Sequence, residues 1–399
     1  MAKYITEISK NGNIAVDDTI LVKGYPATAG SKMLKNFVPL FTATAVEKLT
    51  AAGYTLSGKT AVGEFGLDLY GETSENETCA AATLVANGEV KAALNVDLNG
   101  APRRAAAIKG VTFVKPTYGT VSRYGVIACA CSGEQIGVTA KNADTAAEVL
   151  GVVSGFDPKD GTSLKTEVYE YNTNLSVKGK KVAIIKELLN LATNEAKVKL
   201  LDTAEELKKQ GVEVEEISLP LVKEIQTAWN ILMSAETTNN LSRFDGVKYG
   251  HRTEKYKNID ELYVGSRTEG FNFLTKATII YGSDVLSKGK YEVCYDKALK
   301  IRKLAVDSLT ELFEKNGFTA LLVPAFSQTK ELEVSTAKTL DGEEFAEQFR
   351  TVFEESAYTA PASITGMPAV VCGGIQLVGN YFAESELLSF AKVLEKEEA

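Results

Sequence analysis

Short apolar runs alternate with amphipathic segments along most of the chain, and this alternation restricts the fold more than any other feature. Residues 181–187 form an apolar run, residues 194–210 have helical periodicity, and residues 212–219 form a second run. Such alternation predicts an α/β fold, with a twisted, mostly parallel central sheet and helices on both faces. The other predicted strands are residues 91–96, 111–115, 125–130 and 319–325, and the other predicted helices are residues 43–52, 78–87, 142–155, 295–315 and 384–396.

The sequence offers one plausible linker, residues 171–180. The linker is short, and no internal repeat or low-complexity segment accompanies it. We therefore expect a single domain, residues 1–399, with two lobes and only a weak division at the linker.

The composition excludes several classes of protein. Acidic and basic residues are interspersed and the formal net charge is −8, which argues against direct binding of nucleic acid, because that requires a basic face. The five cysteines are an odd number without CxxC spacing, so neither a disulfide framework nor a zinc site is indicated. No signal peptide is recognised and no apolar run approaches the length of a membrane span. We expect a cytoplasmic protein that contacts no membrane.

The segment GYTLSGKT, residues 53–60, matches the phosphate-loop pattern GxxxxGK[ST] letter for letter. A phosphate loop leaves a strand and begins a helix, so that backbone N–H groups and the helix dipole face the phosphates. Here a predicted helix precedes Gly53, and the apolar residues inside the segment favour a strand. We interpret the match as chance and expect no nucleotide and no other cofactor.

Isolated polar residues offer weaker alternatives. His251 is the single histidine, and its charged and polar neighbours favour a partly exposed loop residue over a lone general base. The adjacent Asp17 and Asp18 could bind Mg²⁺, but a solvated turn after a strand is the commoner structure. The cysteines lie mostly in apolar contexts, which favours core packing over nucleophilic chemistry. We expect no metal site.

The stretch LNVDLNGAPRR, residues 94–104, has the pattern of a tight turn that displays a reactive side chain. Asn99 and Gly100 supply the bend. The next residue, where a nucleophile could be displayed, is Ala101, and Pro102 after it has no backbone N–H. The stretch therefore has the form of an enzyme site without its reactive group.

Several longer segments resemble the amidase signature family. The longest is VKPTYGTVSRYGVIACACSGEQIGVTAKNADTAAEVLGVVSGFDPKDGTSL, residues 114–164, and the others, in the family's order, are DDTILVKGYPATAGSKMLKNFVP, ATAVEKLTAAGYTLSGKTAVGEFG, SRFDGVKYGHR, SRTEGF and KALKIRKL. Within the family the chain is similar to the A subunits of glutamyl-tRNA(Gln)/aspartyl-tRNA(Asn) amidotransferases, over nearly its whole length. The resemblance implies the amidase-signature fold and an activity that releases ammonia from an amide.

Such enzymes use a serine nucleophile, a bridging serine and a neutral lysine that accepts the relayed proton. The resemblance places the nucleophile at Ala101, in DLNGA, where the family's Asp97 is retained. It places the lysine at Asp17, in VDDT, and the bridging serine at Glu77, in SENETCAAA. A methyl group cannot attack a carbonyl. The resemblance therefore predicts a degenerate triad with no catalytic residue at these three positions.

The residues of the substrate pocket are partly replaced as well. An arginine that resembles the family's ligand for the glutamine carboxylate is retained as Arg302. The acid that would hold the substrate's amino group falls at Ser356, or at Glu355 if the register differs by one residue. His251 stands where the family usually has tyrosine. The pocket residues are thus remnants, not a complete binding site.

Three functions remain open at this point. The first is a pseudoenzyme that acts as a binding module, scaffold or partner for an unidentified small molecule or protein. The second is an active amidase or glutaminase with a relocated nucleophile, for which Cys79 is the candidate, although its neighbours ETCAAA include no base. The third is a non-catalytic subunit that pairs with a true amidotransferase and touches tRNA only through it.

The resemblance places two acids, Asp17 and Glu77, next to each other in the former catalytic site, which affects their charge. If Asp17 and Glu77 lie together, both cannot stay ionised cheaply, so one is protonated or a cation lies between them. The candidate cations are Arg103, which matches a family arginine, and Arg104, which is additional. We predict an ion-pair plug in which at least one of these arginines binds Asp17 or Glu77, with a divalent metal less favoured.

Overall fold

A computed structural model describes residues 4–67, 80–165, 169–327 and 342–395 of the chain. Its strands are β1 Tyr4–Glu7, β2 Ile14–Asp17, β3 Leu56–Thr60, β4 Ala92–Asp97, β5 Thr112–Lys115, β6 Gln135–Ala140, β7 Lys181–Ile185, β8 Glu213–Ile217, β9 Ala320–Pro324, β10 Ala369–Cys372 and β11 Ile375–Val378. Its α-helices are α1 Thr44–Ala51, α2 Ala80–Ala86, α3 Ala101–Lys109, α4 Ala143–Val153, α5 Lys186–Leu191, α6 Asn194–Lys209, α7 Val222–Leu241, α8 Ile259–Gly270, α9 Phe273–Val285, α10 Asp296–Glu314, α11 Gly342–Thr365 and α12 Glu384–Leu394.

The strands form one sheet in the order β1-β3-β2-β4-β6-β5-β10-β11-β9-β7-β8. The α/β class predicted from the alternation is confirmed. The expectation of a mostly parallel sheet is wrong for the described residues, because the parallel pairs are β2–β3, β2–β4, β7–β8 and β7–β9 whereas the other six neighbouring pairs are antiparallel.

The reason for the mixed directions is visible around α3. Strands β4 and β5 are joined through this helix and run in the same direction, as a strand–helix–strand unit requires. Strand β6 lies between them, however, and pairs antiparallel with both. The sequence analysis did not predict β6. The strand predicted at residues 125–130 is wrong, because only an isolated bridge between Ile20 and Val126 is found there.

Helices cover both faces of the sheet, as expected. In β9, Leu322 packs into a core shared with α1, α4, α6 and α12, whereas its neighbour Leu321 packs into a core shared with α7, α10 and α11. A third cluster joins α2 and α3 to Phe113 of β5 and Val371 of β10. Successive strand residues point to opposite faces, so each apolar strand contributes to two helical layers.

The false phosphate loop has a simple structure. Residues Leu56–Thr60 form β3, and Lys59 and Thr60 lie within that strand, after α1 and not before a helix. The backbone N–H groups of this segment are therefore engaged in the sheet, which is not the geometry of a phosphate loop. Among the described helices, none combines the length and the apolar character needed to cross a membrane.

Candidate functional site

The turn between β4 and α3 has the form predicted for a displayed side chain. Asp97 ends β4, Gly100 adopts a φ of 91°, and Ala101 is the first residue of α3. A Cβ at Gly100 would lie 2.4 Å from Cγ2 of Thr359, so both the backbone conformation and the space require glycine. The methyl group of Ala101 therefore occupies a defined position at the N-terminal end of a helix.

Asp97 and Arg103 hold this turn in place. The Arg103 guanidinium donates from Nε to Oδ2 of Asp97 at 2.7 Å and from Nη2 to Oδ1 at 3.0 Å, and both side chains are fully buried. Arg103 also donates to the Thr359 carbonyl, to Gln376 Oε1 and to Ser363 Oγ at 3.0, 2.9 and 2.7 Å. A two-point ion pair with all these donors used is a strong structural link between α3, α11 and β11.

Asp17 and Ala101 line one cavity. Its other described lining residues are Thr19, Ala61, Val62, Gly63, Gly66, Ala81, Ala82, Asn95, Val96, Pro102, Ala105 and Thr139. The positions that the resemblance assigned to the lysine and to the nucleophile are thus close in space, although they are 84 residues apart in the sequence, on β2 and α3. Glu77 and Cys79 lie outside the described residues, so their predicted places in the cleft stay predictions.

The Asp17 carboxylate accepts three hydrogen bonds from neutral donors. Oδ1 accepts from Asn95 Nδ2 at 2.7 Å and from Thr60 Oγ1 at 3.1 Å, and Oδ2 accepts from the Val96 backbone N–H at 2.9 Å. Burial nevertheless dominates and raises the pKa of Asp17 to about 7, with a smaller contribution in the same direction from Asp18. This carboxyl therefore changes its charge near neutral pH.

The raised pKa makes the stability of the protein dependent on pH. As pH rises from the ordinary value of 3.8 towards about 7, Asp17 of the unfolded chain loses its proton while the folded chain retains it. The free energy of unfolding therefore falls through this window and levels off above it. We expect Asp17→Asn to remove the fall in the free energy of unfolding that Asp17 causes, which amounts to a few kcal/mol at most. Urea unfolding at pH 5, 6, 7 and 8 measures this difference. Equal slopes in the wild type and the variant would contradict it, and the exposed Asp307→Asn is the control.

Asp18 is also buried, so the expectation of a solvated turn at Asp17 and Asp18 is wrong. Lys59 Nζ lies 2.9 Å from Asp18 Oδ1, and both side chains are fully buried. Oδ2 of Asp18 accepts from the Thr28 backbone N–H at 2.7 Å and from its hydroxyl at 2.5 Å. Lys59, which occupies the lysine position of the phosphate-loop pattern, is thus the positive partner of the buried Asp18 carboxylate.

Among the described residues, no hydrogen bond joins Arg103 or Arg104 to Asp17. Arg103 binds Asp97, and the hydrogen-bond partners of Asp17 are the neutral groups described above. Arg104 is buried and donates from Nη2 to the Asn99 carbonyl at 2.7 Å. A pairing of either arginine with Glu77 stays a prediction.

The predicted pocket remnants have different hydrogen-bond partners. Arg302, on α10, is half-buried and donates from Nη2 to the Ser132 carbonyl at 3.5 Å. Ser356, on α11, is buried and accepts from Asn230 Nδ2 at 3.0 Å. His251 is a partly exposed loop residue, as expected, and its Nε2 lies 2.7 Å from Glu269 Oε2. Their roles as remnants of a substrate site stay predictions.

Glu355, the alternative to Ser356, has a different hydrogen-bond partner. Its Oε2 accepts from the Ser327 backbone N–H at 3.0 Å. Burial raises the pKa of Glu355, and the nearby positive charge of Arg104 opposes that rise. Glu355 is therefore a hydrogen-bond acceptor for the Ser327 backbone and lies within electrostatic range of Arg104.

The described cysteines match the expected role in core packing in part. Cys129 and Cys372 are buried, and burial raises the pKa of both thiols, so they stay protonated. Cys131 is half-buried with a pKa raised by the same cause, and Cys294 is half-buried. Over residues 4–67, 80–165, 169–327 and 342–395, no three His, Cys, Asp or Glu side chains converge as metal ligands would.

Comparison with known proteins places this geometry in a family. The amidase family model matches residues 13–78 and 80–388. The chain is 35% identical over 414 residues to the A subunit of the glutamyl-tRNA(Gln) amidotransferase of Halothermothrix orenii, an alignment that covers 96% of this chain and 84% of that protein. It is 36% identical over 418 residues to the corresponding protein of Lachnoclostridium phytofermentans, covering 96% and 82%. The chain therefore belongs to the amidase family.

Solved structures agree with this assignment. The A subunit of the glutamyl-tRNA(Gln) amidotransferase of Thermotoga maritima superposes with a TM-score of 0.78 at 25% identity, covering 98% of this chain and 87% of that one. The 6-aminohexanoate cyclic dimer hydrolase superposes with a TM-score of 0.77 at 20% identity, covering 96% and 83%, and is similar in fold alone. The amidase-signature fold expected from the sequence is confirmed.

Three residues of the site were missed by the sequence analysis. They are Thr60 and Asn95, which bind Asp17, and Thr19, which lines the cavity. Asn95 had a detectable signal, because it is a polar residue inside the apolar run AALNV. Thr60 had none, since its contact depends on β2 pairing with β3, a non-local neighbour.

Proposed function

We propose that this chain is a catalytically degenerate amidase, a pseudoenzyme that binds a small molecule or protein partner without hydrolysing an amide. One observation carries the proposal: the residue at the start of α3, in the cavity shared with Asp17, is Ala101. Covalent amide hydrolysis by this family's route needs a hydroxyl at that position. Removing the nucleophile of such a triad leaves only the residual rate supplied by binding and oxyanion contacts.

The other hydroxyl groups described in the cavity support the proposal. Thr139 donates from Oγ1 to Asn95 Oδ1 at 2.7 Å, an amide oxygen that cannot serve as a general base. The Thr19 hydroxyl is buried and has no hydrogen-bond partner among the described residues. An activated nucleophile needs a base within hydrogen-bond reach, and among the described residues neither threonine has a hydrogen bond to a base.

We expect no ammonia release from glutamine, asparagine or simple amides above a heat-treated control. The purified chain and Cys79→Ser are assayed side by side, because Cys79 is the one candidate for a relocated nucleophile. Turnover that disappears in Cys79→Ser would replace the proposal with a relocated cysteine nucleophile. Turnover that persists in that variant would equally contradict it and would indicate another nucleophile.

A role as a non-catalytic subunit is the second candidate, favoured by one finding. The relatives at 35–36% identity carry names that describe them as subunits of a larger enzyme. Native purification of the tagged chain distinguishes the two candidates. Recovery together with amidotransferase subunits would support the subunit role, and recovery without them would support an independent binding protein.

A further inference from the structure

The cavity shared by Asp17 and Ala101 has an unusual balance of charge. Asp17 is the one ionisable residue in its described lining, and the remaining side chains are small or neutral. The acid is 4% exposed, and its three hydrogen-bond donors are all uncharged. Burying an ionised carboxylate without a positively charged hydrogen-bond partner costs free energy. A cation bound in the cavity would therefore stabilise the ionised form of Asp17.

The hydrogen-bond geometry of the carboxylate leaves room for that cation. Oδ1 accepts two hydrogen bonds, whereas Oδ2 accepts one, from Val96, so Oδ2 retains accepting capacity. Asn95 and Val96, which hold the carboxylate from the sheet side, also line the cavity. The carboxylate is therefore fixed in orientation before any ligand arrives, which lowers the entropic cost of binding.

Thr19 supplies an independent observation. It lines the same cavity, is 2% exposed, and its side-chain oxygen has no hydrogen-bond partner among the described residues. Buried hydroxyl groups are nearly always satisfied, so the Thr19 hydroxyl has hydrogen-bonding capacity available for a ligand or an ordered water. A hydroxyl oxygen accepts a hydrogen bond from an N–H donor as readily as from water.

We propose that this cavity binds a primary ammonium group, as ammonium itself or as a short protonated alkylamine, between the carboxylate of Asp17 and the hydroxyl of Thr19. The proposal rests on the proposed function in one respect, because the former catalytic cleft becomes a binding site. The cavity has a volume of about 50 Å³, enough for a few water-sized groups. The ligand is therefore small, or inserts only its terminal ammonium group.

Competing occupants fit the cavity less well. A divalent metal prefers several carboxylate or carbonyl oxygens, and the described lining offers one carboxylate. An anion would gain from the N-terminal end of α3, which is equivalent to about half a positive charge, but it would face the full negative charge of Asp17. Pro102 also has no N–H to offer an anion.

Binding should depend on pH through Asp17. Among the described residues, the charged groups that act on it are Asp18, which raises its pKa, and Lys59, which is paired with Asp18 and also interacts with Asp17. A cation binds the ionised carboxylate, and the pKa of Asp17 is about 7, so the affinity rises with pH and levels off above that value. An alkylammonium resembles the lysine side chain and stays protonated throughout this window.

The test is isothermal titration calorimetry of the full chain with methylammonium chloride at pH 8 and pH 6. We expect saturable binding at one site, about tenfold weaker at pH 6 than at pH 8. Asp17→Asn should lose at least tenfold in affinity, and Thr19→Val should lose severalfold, whereas the exposed Asp307→Asn should bind as the wild type does. Thermal unfolding of each variant checks that it folds. If Asp17→Asn does not fold, Thr19→Val still tests the proposed site.

Two salts at equal ionic strength define the ligand chemistry. Tetramethylammonium has the charge without an N–H donor and should not bind, and potassium should bind more weakly than methylammonium. Absence of saturable binding to the wild type, equal binding by folded Asp17→Asn, or equal binding of tetramethylammonium or potassium would overturn the proposal. These readouts use no amide, so their failure leaves the hydrolysis result intact, and ammonia release from an amide would leave the measured binding intact.

Discussion

Replacing Arg103 with methionine is expected to lower the free energy of unfolding by about 3–5 kcal/mol, the usual cost of removing one partner of a buried ion pair. The substitution leaves the fully buried Asp97 carboxylate without its cation and removes the donors to Ser363, Gln376 and the Thr359 carbonyl. Methionine is an unbranched side chain that fills much of the space of the arginine stem, so the lost stability is electrostatic more than steric. Urea unfolding at pH 7 measures it.

A surface lysine provides the matched control for this experiment. Lys208 pairs with Glu205 at 2.8 Å, but both side chains are about half exposed, so Lys208→Met should change stability by less than about 1 kcal/mol. The double variant Asp97→Asn with Arg103→Met should recover part of the loss, because it no longer leaves a buried charge alone. A loss below about 1 kcal/mol for Arg103→Met would show that this pair does not hold the turn.

Replacing Gly100 with alanine is expected to lower the free energy of unfolding by about 3 kcal/mol. A left-handed backbone costs a residue with a Cβ about 1–2 kcal/mol, and overpacking against Thr359 adds about 1–3 kcal/mol. The comparison is Gly53→Ala, because Gly53 has nearly the same φ, 90° against 91°, but nothing lies within 4 Å of its added Cβ. The difference between the two variants, measured in urea, isolates the steric part.

A third variant tests where the steric conflict lies. Thr359→Ser removes Cγ2, the atom 2.4 Å from the added Cβ, and keeps the hydroxyl that donates to the Asn99 carbonyl. Combined with Gly100→Ala it should restore part of the lost stability. If Gly100→Ala and Gly53→Ala cost the same, the close approach of α11 to this turn makes no contribution.

Local patterns predicted about half of the described helices and strands. The run KVAIIKE, the helix after it and the run VEVEEISL became β7, α6 and β8 within a few residues, because each element shows its periodicity over a short window. Strand neighbours are not encoded in such windows. The insertion of β6 between β4 and β5 depends on contacts between distant segments, so the directions within the sheet could not be predicted from alternation alone.

The resemblance indicated two positions that the structure brings together, whereas the burial of the neighbouring charged residues was not predicted. Asp17 and Ala101 do line one cavity. The pairing of Arg103 with Asp97, six residues before it on the same turn, was not predicted. The burial of Asp18 was missed, since a pattern of two adjacent acids does not reveal that Lys59 lies on the neighbouring strand.

The order of the sheet has a consequence for how this chain is made. Strands β1 to β6 lie on one side and β7 to β9 on the other, and the hairpin of β10 and β11 joins them by pairing with β5 and with β9. In a folded sheet that lacked residues 369–378, β5 and β9 would be two open edges, and open edges are templates for aggregation. The hairpin of β10 and β11 therefore completes the described sheet, and we expect a nascent chain without it to be prone to aggregation.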